Sequence, residues 1–405
     1  MGCARMLSTA VLSRAMPSQA VLSHVLFVSA LASMTSATTF ASTTVILRGT
    51  AQPIVADSVF GDSHGLEIHT VAAGSARGAA EKGEVIPWDM VRAVEGQSGG
   101  TGLAEFLEIG EDLWRARIRI ERGDAALAQA ELAKHWSRFR DADGPTAALV
   151  AEGLLRCALS AGDLRAAADP WLACLRHRGM GIASRFPTLP PAIDASNGLL
   201  PELSPFMPAS RRAELIGACE SAKASGESGE VARSIVRIAN GVRISAPSGV
   251  PGSGPELGLE SGNDPAKESS PALRALGLLE DIASAADVRS LDKAVGSFDR
   301  AFEEPPSYLS AWRIAAIGTC RARIARTAPV VAGAAASDRA GALGRAALEF
   351  LAVPASGLDR TGLVDAYALE EAASLLRESG DESSAAQLAV LAEQKLQDIT
   401  HSSGR

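Results

Sequence analysis

"AEFLEIGEDLWRARIRIERGD", residues 104 to 124, decides how most of this chain is read. Phe106, Ile109, Leu113 and Ala116 recur at the 3.6-residue period, which places them on one stripe of an amphipathic helix. Gly123 stops the pattern and Asp124 opens the next, in which Ala128, Leu132, His135, Trp136 and Phe139 form a second stripe. Two helices joined by so short a turn run antiparallel. The same Gly-Asp device returns at Gly162-Asp163 and at Gly380-Asp381.

Five residues after each of these glycines stands an alanine, Ala128, Ala167 or Ala385, small enough for close approach of two helices. The stretch "LDKAVGSFDRAFEEPP" adds Ala294, Phe298, Ala301 and Pro306 at the spacing of a second repeat helix with its terminating proline. On these residues the chain resembles the tetratricopeptide family, in pieces amounting to about 200 residues. Leu155 stands where that family takes a small residue, and the interval between Gly123 and Gly162 is longer than its usual repeat. The fold class expected is mainly α, an irregular set of antiparallel hairpins of the tetratricopeptide-like α-solenoid kind.

Residues 43 to 95 lack that period. "TTVILR", "PIVADSVF" and "GLEIHTV" are β-branched or alternating, and "GEVIPWDMVRAV" (residues 83 to 94) ends the series. Within it Pro87 suits the first position of a single helical turn, and Trp88 is placed to cover the end of a small core. A last strand preceded by one 3₁₀ turn resembles the closing segment of Src-homology-3 or Sm-type barrels. The alternative, a three- or four-stranded β-extension on the helices, stays open. The first tyrosine is Tyr308, so the aromatic cradle that binds proline-rich peptides is missing from this region.

The start reads as an export signal: Arg5 and Arg14, then the apolar run Ala20 to Ala32, then small residues, with cleavage after residue 32 or 41. The run is too short to span a bilayer. The organisation expected is therefore a signal peptide at 1–41, a small β domain at 42–98, helical hairpins at 102–243, a Gly/Ser/Pro-rich linker at 244–271, and further hairpins at 272–400. The proline-rich stretch Phe186 to Pro208 carries Leu, Ile, Phe and Met, which predicts an ordered loop packed on the helices.

Removal of the leader leaves 37 basic and 47 acidic residues, a balance of −10. That sign disfavours nucleic acid and anionic membrane as partners. Four cysteines remain, Cys157, Cys174, Cys219 and Cys320; Cys157 and Cys174 fall on neighbouring helices, but at unequal distances from the turn, so a bridge is permitted rather than favoured. His64, His69, His135, His177 and His401 do not cluster, and no G-x-S-x-G, H-E-x-x-H or P-loop pattern is present. No catalytic, metal or cofactor-binding residue is nominated.

What remains is binding. Arg115, Arg117 and Arg119 lie on a first-helix flank of the kind that lines repeat grooves, against the plainer reading of a solvated face. The expectation is an exported periplasmic or extracellular scaffold for a protein or peptide of the cell envelope, with no membrane span in the mature chain. The other class is an envelope hydrolase or carbohydrate-active enzyme using acidic residues in a cleft.

Overall fold

The computed structural model describes residues 43–70, 83–96, 102–222, 224–244, 270–328 and 335–402. The stretch read as an export signal, residues 71–82 and all but the edges of the stretch 244–271 read as a linker lie outside the described residues.

Among the described residues six short strands come first: β1 (Thr43–Leu47), β2 (Ile54–Ala56), β3 (Ser58–Gly61), β4 (Leu66–His69), β5 (Glu84–Ile86) and β6 (Val91–Glu95). They pair antiparallel as two three-stranded sheets, β2-β1-β6 and β3-β4-β5. The expected barrel is therefore corrected to two open sheets, with no closed barrel among the described strands. The stretch read as a single strand, "PIVADSVF", breaks at Asp57, and its halves β2 and β3 join different sheets. Pro87 precedes one 3₁₀ turn, Trp88–Met90, which leads directly into β6.

Twelve α-helices follow among the described residues. α1 (Leu103–Glu121) and α2 (Ala125–Phe139) turn at Gly123; α3 (Pro145–Ser160) and α4 (Leu164–Gly179) turn at Gly162. Both glycines have φ in the left-handed region, +88° and +66°, which a side chain disfavours. After α5 (Ala209–Ser221) and α6 (Gly226–Ile244) come α7 (Pro271–Ser284) and α8 (Val288–Ala301). The last four are α9 (Ser307–Thr327), α10 (Ala335–Ser356), α11 (Leu363–Ser379) and α12 (Glu382–Ser402), with Gly380 at φ +93° between the final pair.

Each helix packs mainly on its neighbours in sequence. Ala128, Ala167 and Ala385 are fully buried where their hairpins close, whereas Ala294 and Ala301 of α8 are only half-buried beside the buried Phe298. Pro306 immediately precedes α9, and Ser310 N–H donates to its carbonyl.

Two apolar cores result among the described residues. One runs from α3 to α11 around Trp171, Phe206, Trp312 and Phe350. The other joins the strands to α1, α2 and α3: Val45, Leu66, Ile86 and Trp88 lie in one cluster with Phe106, Leu113 and Phe139. Trp88 stacks on Phe106 with ring centroids 5.0 Å apart, and its Nε1–H donates to Asp62 O at 2.7 Å. The sheets thus have no separate interior. Phe186 to Pro208 is ordered, with Phe186, Leu199, Leu203, Phe206 and Met207 buried.

Candidate functional site

The chain leaves α4 through Met180 and Gly181, the latter at φ +76°, and then crosses the helices as an irregular segment fixed by polar groups, of which Glu152 and Asn197 are buried. Glu152 on α3 accepts from Arg156, from Ser184 Oγ at 2.8 Å and from Arg185 N–H at 3.1 Å. The two Nη groups of Arg178 donate to the carbonyls of Asp194 and Ala195. Asp194 Oδ1 accepts from the amides of Ser196 and Asn197, forming an Asx turn. Asn197 Oδ1 in turn accepts from Leu199 N–H at 2.7 Å and from Tyr308 O–H of α9 at 3.0 Å.

The loop held this way, Pro191 to Ala195, lines two concavities. The first, about 320 Å³, is walled by Ala148, Ile182, Pro191 and Ile193, with Cys174 and His177 of α4. It is mainly apolar and holds no assembled catalytic pair. Burial pushes the Cys174 thiol well above its ordinary pKa, so it does not act as a thiolate nucleophile near neutral pH. Burial also lowers the pKa of His177, whose neutral ring donates from Nε2 to Ala142 O at 3.1 Å.

The second concavity, about 610 Å³, lies between the loop, the 3₁₀ turn Pro201–Leu203, the start of α9 and Arg360. Its charged groups are Asp194, Glu202 and Arg360. Burial raises the pKa of Glu202, with a further push from the nearby Asp359. Burial acts in the same sense on Asp194, but its bonds with the Ser196 hydroxyl and amide outweigh it and hold that carboxyl below the usual range.

The three arginines singled out in the sequence go to three different partners. Arg115 pairs with Glu111 on its own helix at 3.1 Å, and Arg119 with Glu131 of α2 at 2.7 Å. Arg117 turns toward the strands and meets the fully buried Asp89 at 2.5 Å; Arg185 approaches the same carboxylate at 3.5 Å. Burial raises the pKa of Asp89 against the opposing pull of Arg185 and Arg117. Pro87 and Trp88 belong to this turn, and the other glycine, alanine and proline positions named above are hairpin and core positions, apart from Pro306, which lines the second concavity. His64 and His69 pair separately, with Asp62 and Glu67.

Cys157, Cys174, Cys219 and Cys320 are all buried free thiols, so the permitted Cys157-Cys174 bridge is not formed. Among the described residues no group of three or more His, Cys, Asp or Glu is placed to hold a metal ion, and no helix is long and apolar enough to cross a membrane.

Sequence reasoning missed Glu202 and Arg360. Glu202 did carry a signal, as the lone carboxylate of the otherwise apolar and proline-rich "GLLPELSPFMP"; Arg360, in a turn 158 positions later, carried none. Comparison with family models, with characterised proteins and with solved structures finds no match.

Proposed function

We propose that this protein is exported and acts as a scaffold in the cell envelope, binding a protein or peptide partner through the surface of an irregular, tetratricopeptide-like set of helical hairpins. The observation that carries the reading is the apolar concavity beside α4. Its volume, about 320 Å³, suits a bulky apolar side chain, and its walls come from two helices and a loop tied down by Glu152 and Arg178. Such a wall offers a preformed pocket for an anchor residue, which is how rigid helical surfaces gain affinity.

The test is affinity capture from native envelope extract with the chain beginning at Ser42, beside the same chain carrying Ala192→Trp. Ala192 lines the concavity and is half-buried at the margin of the larger core, so an indole there takes up the space an anchor residue would use. A partner retained by the first protein and lost by the second supports the reading; equal retention moves recognition elsewhere on the helices. Amino-terminal sequencing of the mature protein tests export, with Ser33 or Ser42 expected as the first residue.

A second reading, an envelope hydrolase or carbohydrate-active enzyme, is favoured by one observation: Asp194 and Glu202 line one cavity with their pKa values displaced in opposite directions. It requires that Glu202→Gln abolish turnover of a glycan or peptide substrate without changing the fold.

A further inference from the structure

The second concavity contains two opposite charges that do not pair. Among the described residues Glu202 has no partner beyond its own backbone amide, and Arg360 has none; neither ion-pairs with the other although both line the same space. Elsewhere in the molecule arginines that meet carboxylates bond to them, as Arg326 does with Glu378 and Arg313 with Asp299. An acid and a base held apart in one cavity are matched by a ligand that carries both complementary charges.

We propose that the concavity between the Pro191 to Ser196 loop and the start of α9 binds a small zwitterion, a free amino acid or short peptide. Arg360 takes its carboxylate and Glu202 its ammonium group. Three prolines, Pro191, Pro201 and Pro306, supply rigid apolar wall, and the volume of about 610 Å³ admits a di- or tripeptide. Asp194 adds a second negative charge, so the cavity carries two carboxylates against one guanidinium and favours the ammonium end over the carboxylate end. The Tyr308 to Asn197 bond fixes the floor by joining the loop to α9. The site shares the Pro191 to Ala195 loop with the partner surface proposed above, but its test does not depend on that reading, because the probes below carry both charges with no protein attached.

The experiment is isothermal titration calorimetry of the whole chain with three probes: alanyl-alanine, its N-acetyl derivative and its C-terminal amide. Saturable binding of alanyl-alanine is expected, weakened about tenfold or more by Arg360→Gln or by Glu202→Gln. N-acetylation should remove the sensitivity to Glu202→Gln, and amidation the sensitivity to Arg360→Gln, with the acetylated probe the weaker of the two. Absence of saturable heat from all three probes, or equal affinity of the free and blocked dipeptides for the unaltered chain, overturns the proposal. The comparison of free with blocked dipeptides needs only the unaltered chain, so it stands even if a variant fails to fold.

Discussion

Gly110 sits where α1 meets the turn after Pro87, and a Cβ there would lie 2.5 Å from the Trp88 carbonyl oxygen. That neighbour is backbone, so the helix itself must shift to admit one methyl group. Gly110→Ala is expected to cost about 1–3 kcal/mol, read as a lowered denaturation midpoint at unchanged slope. Next to it, Asp89 neutralises Arg117 and Arg185 in a fully buried setting. Asp89→Ala leaves two guanidinium groups facing a void and should cost about 3–5 kcal/mol. The native carboxyl holds its proton more tightly than the unfolded one, since its pKa is raised. Stability should therefore fall as pH rises from the ordinary aspartate value through the raised one, and be flat above it. Asp89→Asn should remove that segment from a stability-against-pH curve. Trp88 was legible as a core residue from its neighbours in "VIPWDM", but its stacking partner was not: Phe106 belongs to a different periodicity, and nothing local announces that one tryptophan faces both.

At the level of elements, the hairpins were the readable part. Glycine at positive φ followed by a capping aspartate is a local device, and at Gly162-Asp163 it is complete, with Asp163 Oδ1 accepting from Ala166 N–H at 2.9 Å. The buried Ala167 behind that turn leaves no room for a larger side chain, and Ala167→Leu should destabilise by about 1–3 kcal/mol in the same denaturant assay. At α8 a reciprocal capping box joins Asp287 and Ser290, whose amide and hydroxyl bonds lower the Asp287 pKa. Its contribution is complete above the unfolded value and disappears as pH falls through the lowered one. Asp287→Ala should thus lower the melting temperature at neutral pH and make no difference at strongly acid pH. The strands were less legible. Their residues identify β structure, but whether six short segments close a barrel depends on pairing across distant positions, and the break at Asp57 sends β2 and β3 to different partners.

For the whole molecule, long contacts set limits that a purely neighbour-to-neighbour stack would not have. Tyr308 reaches Asn197 across 111 positions, and Phe206 and Arg212 both pack on the Tyr367 ring. Tyr308→Phe removes one of the two donors to Asn197 Oδ1, leaving Leu199 N–H, and is expected to cost about 0.5–1.5 kcal/mol, with the loss spread over the helices from α4 to α11 rather than confined to α9; hydrogen exchange on those helices checks it. The candidate cavity escaped the sequence for the same reason: Glu202 and Arg360 come to line one space, without touching, only because the proline-rich loop folds back beside the start of α9.

The four buried thiols give the interior its own stopwatch. Burial pushes the Cys157 and Cys219 thiols up to about 12 and raises Cys174 and Cys320 as well, so an alkylating reagent finds almost no thiolate while the chain stays closed. Each modification then records an opening event, and because Cys157 belongs to one core and the other three to the second, mass spectrometry of partly alkylated protein would tell which half breathes first.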